Sequence, residues 1–229
     1  MNYYDARETR YPLDRERELL ARLPKQVAHA KAHAPAFAAL LADVNPAAIV
    51  SREALAGLPV VRKSELLELQ KGARPFGGFA ALKWGTGCAR VFASPGPIYE
   101  PEGARKDYWR LARAFYAAGF RAGDLVHNTF SYHFTPAGSM TETAAHALGC
   151  TVFPAGVGQT EQQVAAMLDL RPDAYAGTPS FLRIILDKAD ELGVKIDSLT
   201  KAFVSGEAFP PSQCEALVAR GIQAFQAYA

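Results

Sequence analysis

The chain has 229 residues, 49% apolar and 21% charged, with a formal charge of +2. That composition suits one or two soluble globular domains, and with no basic run it gives no footing to a nucleic-acid partner. No apolar stretch approaches the ~20 residues of a membrane span. The opening MNYYDARETRYPLDRE lacks the apolar core of a secretory signal, so neither membrane nor export is expected. The three cysteines, Cys88, Cys150 and Cys214, are odd in number and show no C-x-x-C spacing. They read as small buried residues of a cytoplasmic protein rather than a disulfide framework.

Residues 1–87 read as a helical segment with a linker. Arginines 7, 10, 15, 17 and 22 alternate with acids, the mark of a solvated helix face. Arg15–Leu23 and Lys25–Leu41 have helical character, the second broken at Pro35. Ser51 and Ser64 stand where helix N-caps belong. Residues 71–86 are Gly-rich and irregular.

From about residue 88 the rhythm becomes strand and helix in alternation. Asp107–Ala118 carries a helical apolar period, and 125–130 reads as a strand. Ala137–Ala147 is a helix ended by Gly149, then 151–154 a strand. Thr160–Leu170 is a helix with Thr160 as N-cap and Gln163 completing a capping box. Strand 173–176, helix 179–192, strand 201–205, helix 211–220 and strand 222–225 follow. Leu182, Ile185, Leu186 and Ala189 fall on one face. Such alternation predicts an α/β fold over 88–229, a mainly parallel sheet with helices on both faces, preceded by the helical N-terminal segment. Ligands of such sheets sit at the carboxyl ends of the strands, which directs attention to loops 131–138, 155–159, 177–180 and 206–210.

Four strings in those loops and before them occur in a telling order: Ala93-Ser94-Pro95-Gly96-Pro97-Ile98-Tyr99-Glu100-Pro101, Gly158-Gln159-Thr160-Glu161, Gly177-Thr178-Pro179-Ser180 and Ser205-Gly206-Glu207-Ala208. Their order and spacing resemble the phenylacetate–CoA ligase branch of the adenylate-forming enzymes, over roughly residues 5–229. The resemblance implies an AMP-forming acid–CoA ligase. A carboxylate attacks the α-phosphate of ATP, with Mg2+ accompanying the nucleotide, and coenzyme A then displaces AMP. It further implies a small carboxylic acid, aryl in type, held by the loop Tyr132, His133, Phe134 and Thr135. Ser94, Gly96, Gly206, Glu207, Ala208 and Tyr228 take nucleotide-binding positions. The catalytic groups are expected beyond Ala229, no metal ligand is assigned within the chain, and the 229 residues alone are expected to be inactive and to self-associate.

The first string departs from the family's A-S-S-G-T-T-G-K-P. Pro95, Pro97, Ile98, Tyr99 and Glu100 replace its second Ser, both Thr, the Gly and the Lys. Hydroxyls and a cation that would meet a triphosphate are gone, and prolines lack the N–H groups of a phosphate cradle. A rerouted loop with Glu100 turned toward Arg90, Arg105 or Lys106 is expected. The same departure supports an alternative, a non-catalytic acid- or nucleotide-binding or assembly module; a plain flavodoxin-like ligand-binding domain fits the helical first 75 residues poorly. His29 and His33 share i, i+4 spacing but lack the companion Glu of H-E-x-x-H, so a solvated pair is expected. No G-x-S-x-G elbow suggests a nucleophile triad.

Overall fold

The computed structural model describes residues 3–94 and 97–228. The chain divides into two compact units, Met1–Ala104 and Arg105–Ala229. The first holds α1 (Pro12–Leu20), α2 (Leu23–His33), α3 (Pro35–Leu40), α4 (Arg52–Ala56), α5 (Lys63–Gly72) and the antiparallel pair β1 (Cys88–Ser94) and β2 (Ile98–Gly103). Its helical core is Val27, Leu41 and Ile49, with Phe37 and Leu58 packed against them. Ala34 is extended, as a residue before proline must be, and Pro35 opens α3 where its missing N–H costs nothing. Ser51 caps α4, its hydroxyl accepting from the Ala54 N–H at 3.1 Å. Ser64 does not cap α5. Arg62 is the N-cap, because Glu65 lies three residues on and accepts the Arg62 N–H.

The second unit runs α6 (Ala112–Ala117), β3 (Leu125–Asn128), α7 (Ala137–Leu148), β4 (Thr151–Phe153), α8 (Thr160–Leu170), β5 (Ala174–Gly177), α9 (Pro179–Glu191), β6 (Lys201–Val204), α10 (Pro211–Ala219) and β7 (Gln223–Gln226). The five strands form one sheet in the order β4-β3-β5-β6-β7, every neighbouring pair parallel. This is the expected α/β sheet flanked by helices. Leu182, Ile185, Leu186 and Ala189 of α9 are buried with Tyr175, Ala202, Val204 and Met167. Each large side chain there contributes on the order of 1.5–3 kcal/mol by leaving water. Gly149 ends α7 at φ 88, where a side chain would be strained.

Further readings need correction. The helix expected at Asp107–Ala118 begins only at Ala112. Asp107 and Arg110 take positive φ, and the Asp107 carboxylate accepts the Ala112 N–H at 3.2 Å, starting the helix later than the apolar period does. Thr160 does not cap α8; Gln159 holds that position in a left-handed conformation. The β1–β2 hairpin lies where the altered first string was read as a loop. Among the described residues no helix is long and apolar enough to cross a membrane, and all three cysteines are unpaired.

Candidate functional site

Strand β3 leads through α7 to β4 on one side, whereas β5 leads through α9 to β6 on the other. The connections diverge between the carboxyl ends of β3 and β5, the point where open parallel sheets hold ligands. A buried chain of hydroxyls closes the floor. Thr129 Oγ1 donates to the Tyr175 hydroxyl at 2.7 Å, which donates to the Thr178 carbonyl at 3.1 Å. Burial raises the Tyr175 phenol well above its ordinary pKa, so it stays a donor. Gly177 is obligatory here, since a Cβ would lie 2.0 Å from Thr129 Oγ1 and 2.3 Å from the Tyr175 hydroxyl.

The loop after β3 carries the expected acid-binding residues. Tyr132 is half-buried, its ring lying over Gly138, where a Cβ would come within 2.9 Å of it. Asn128 Nδ2 donates to its hydroxyl at 2.8 Å, and the Glu142 side chain also bonds it. Burial first, and then Glu142, push the Tyr132 phenol up. Phe134 stands 81% exposed on a left-handed backbone, an uncommon conformation for an aromatic residue. His133 is exposed, its N–H on Ser131 Oγ at 3.1 Å, and Thr135 is half-buried with its N–H on the His133 carbonyl at 2.7 Å.

At the neighbouring strand ends lies a cavity of about 600 Å³, lined by Ser205, Gly206, Glu207, Ala208, Gln226, Ala227 and Tyr228. The two strands are stitched across their ends. Ser205 Oγ donates to the Ala227 carbonyl at 2.8 Å, and Gln226 Nε2 donates to the Glu207 carbonyl at 2.9 Å. Gly206 takes φ +88, and Tyr228 is fully exposed. Thus Gly206, Glu207, Ala208 and Tyr228 meet in one cavity.

Ser94 belongs to the first unit and is buried. Its hydroxyl donates to the Ile98 carbonyl at 3.4 Å, closing the hairpin. Gly96 and Pro95 lie outside the described residues. Ile98 is buried, and the Tyr99 N–H is bonded to Gln70 Oε1 at 2.9 Å. Arg90 pairs with buried Glu102 at 3.2 Å rather than with Glu100. The expected turn of Glu100 toward Arg90 is therefore corrected: Glu102, two residues on, has that partner, and no ion pair of Glu100 occurs among the described residues.

One residue was misread for lack of a local signal. Gln163 forms no capping box. Its amide nitrogen reaches back to the carbonyls of Gly156 and Gly158, both at 3.1 Å, and its Oε1 meets His127 Nε2 at 2.5 Å. With the amide hydrogens on carbonyls, Oε1 must accept, so His127 carries its proton on Nε2. Nδ1 is left buried without a partner among the described residues. Burial lowers the His127 pKa. A polar residue whose partner is 36 positions away gives the sequence nothing to show.

The exposed rings of His29 and His33 meet at a tilt on α2, their centroids 4.5 Å apart. Among the described residues no group of three or more His, Cys, Asp or Glu could hold a metal ion, so these residues do not by themselves fit a magnesium site.

No protein-family model matches the chain. A phenylacetate-coenzyme A ligase of Aromatoleum evansii is 33% identical over 221 residues, 91% of this chain and 49% of that protein. A phenylacetate-coenzyme A ligase of Thermus thermophilus is 32% identical over 188 residues, 78% of this chain and 41% of that protein. Among solved structures, an open conformation of 2-hydroxyisobutyryl-CoA ligase in complex with 2-HIB-AMP and CoA matches with a TM-score of 0.88 at 25% identity, over 99% of this chain and 57% of that one. The chain spans about half the length of the curated relatives it matches.

Proposed function

As this chain belongs to the phenylacetate–CoA ligase-like members of the adenylate-forming superfamily, we propose that it serves the AMP-forming ligation of a small carboxylic acid to coenzyme A. The observation that carries this reading is the cavity at Ser205–Ala208 and Gln226–Tyr228, at the carboxyl ends of adjacent parallel strands. Its size, about 600 Å³, suits a nucleoside. The acid is assigned to the crevice between β3 and β5, with Tyr132 and Phe134 as aromatic walls for an aryl group. Tyr132 is held by Asn128, Glu142 and the gap that Gly138 leaves, so it offers a fixed surface.

ATP supplies the phosphorus centre that the acid attacks, with magnesium balancing the phosphate charge, and coenzyme A is the acceptor. The residues here orient the nucleoside and the acid. The groups that stabilise the transferring charge are assigned to sequence beyond Ala229, because catalysis needs them around one adenylate. The 229-residue chain is thus proposed to form no acyl-adenylate on its own, to self-associate, and to work in the cytoplasm.

A second reading draws support from the hairpin. The Ser94 hydroxyl is spent on Ile98 and the Tyr99 N–H on Gln70, while Pro97 and Pro101 have no N–H to give. A chain with these features would serve as an acid- or nucleotide-binding module without catalysis. The test is calorimetric titration with AMP and ATP, together with pyrophosphate release from ATP, magnesium and a panel of aryl acids, on this chain and on one extended past Ala229. Turnover by the extended chain alone supports the ligase reading. Nucleotide binding without turnover in either supports the module.

A further inference from the structure

We propose that Glu207 is a positioning residue, whose carboxylate occupies the N-terminus of α9 and so holds the Gly206–Ala208 backbone in the shape that receives the nucleoside. This rests on the reading of that cavity as the nucleotide site. The Gly177-Thr178-Pro179-Ser180 turn and the Ser205-Gly206-Glu207-Ala208 strand end look independent in sequence, yet one hydrogen bond joins them. The Ser180 N–H donates to Glu207 Oε1 at 2.6 Å, across 27 residues. A backbone N–H on a carboxylate is a charge-assisted bond, stronger than one between neutral groups.

The accounting of donors explains why the carboxylate is there. A helix start exposes N–H groups that need acceptors. In α9, Pro179 has none, the Phe181 N–H goes to Thr178 Oγ1 at 3.3 Å, and the Leu182 N–H to the Thr178 carbonyl at 3.2 Å. Ser180 is the donor left over, at the positive end of a 13-residue helix, and an anion is favoured there. Glu207 satisfies it from the neighbouring strand end.

The same residue is tied on its other side, where its carbonyl accepts Gln226 Nε2 at 2.9 Å. Glu207 therefore links the α9 turn beyond β5 to the end of β7, with its own strand between them. Burial does none of this, because Gly206, Glu207 and Ala208 are all exposed. Gly206, at φ +88, gives the segment freedom that hydrogen bonds must remove. A second consequence follows for the ligand. The α9 N-terminus, which would otherwise draw a phosphate or carboxylate, is already filled by the protein's own anion.

The experiment compares the 229-residue chain with Glu207→Ala and Glu207→Gln, by calorimetric titration with AMP and by amide hydrogen exchange without ligand. Glu207→Ala is expected to weaken AMP binding about tenfold or more and to speed exchange at Ser180 and across 206–208 by about tenfold or more. Glu207→Gln keeps an acceptor and is expected to recover most of both losses. Equal loss of affinity in both variants, with Ser180 still protected in Gln, overturns the proposal, since the ligand would then be reading the charge. Unchanged exchange at Ser180 in Glu207→Ala overturns it as well. If the unsubstituted chain binds no AMP, the nucleotide reading fails, and exchange at Ser180 decides alone whether Glu207 ties the two turns together.

Discussion

The side-chain amide of Gln70 pairs with both backbone groups of Tyr99, Nε2 donating to the carbonyl and Oε1 accepting from the N–H, each at 2.9 Å. A helix residue thereby supplies what a neighbouring strand would supply, and it does so one residue past Ile98, beside the hairpin tip. Gln70 itself is 7% exposed, so the pair is shielded from water. Replacing Gln70 by Ala leaves both Tyr99 groups short of a partner. A loss of about 1–3 kcal/mol is expected, read as a lower urea midpoint for the first unit and faster exchange of the Tyr99 amide.

The hairpin also bears on phosphate binding. If its donors are spent internally, the charge at position 100 matters little to a triphosphate. In a chain extended past Ala229, Glu100→Lys should change ATP affinity by less than about threefold, roughly 0.65 kcal/mol. A tenfold gain would place Glu100 against the phosphates.

Gly177→Ala tests the crevice floor. The added Cβ would lie 2.0 Å from Thr129 Oγ1, inside any permitted contact. Overpacking of a tight core costs about 1–3 kcal/mol, and more where backbone must move. The expected outcome is a large fall in Tm for the second unit and release of the Tyr175 hydroxyl from Thr129, visible as faster exchange across 174–178.

Acid should destabilise the second unit through His127. Its folded pKa is depressed by burial, so the unfolded chain binds the proton more readily. The stabilisation is whole above the unfolded pKa of about 6.5 and is lost as pH falls from there toward the folded pKa. The slope from one proton is at most about 1.4 kcal/mol per pH unit. Tm measured from pH 8 downward should decline below about 6.5, and His127→Gln should flatten that part of the curve.

The proposed self-association has a testable surface in β7. The strand pairs with β6 alone among the described residues, and Phe225 on it is 45% exposed. Exposed strand edges recruit other chains, and a lysine on the edge suppresses this. Sedimentation should show Phe225→Lys less associated than the unsubstituted chain; a monomer in both cases would contradict the expectation.

The parallel sheet was legible because each strand and helix carries its own period, and the α9 face of Leu182, Ile185, Leu186 and Ala189 is buried as the spacing requires. The hairpin was not, because Pro101 and the buried Glu102 break the apolar pattern of β2; Arg90, across the pair, compensates Glu102. The start of α6 was misplaced because Tyr108 and Leu111 continue the helical rhythm into a stretch whose backbone is set by Asp107. At the candidate site the strand-end strings could be read, as could the aromatic loop. Their couplings could not: Glu207 to Ser180, His127 to Gln163 and Thr129 to Tyr175 join positions far apart in sequence through side chains that look unremarkable alone.

The strand order β4-β3-β5-β6-β7 also has a history written in it. Once β3 and β4 have paired, every later strand joins at the same side, β5 on β3, β6 on β5, β7 on β6. A chain emerging from the ribosome can therefore lay down its sheet by accretion, β5 docking on the free side of β3 and each later strand on the one made just before it. No earlier pairing has to open to admit a later strand, and from β5 onward the newest strand forms the growing edge. Synthesis and assembly can thus proceed in step, with the cavity at Ser205–Ala208 and Gln226–Tyr228 among the last features to appear, since it needs the ends of both β6 and β7.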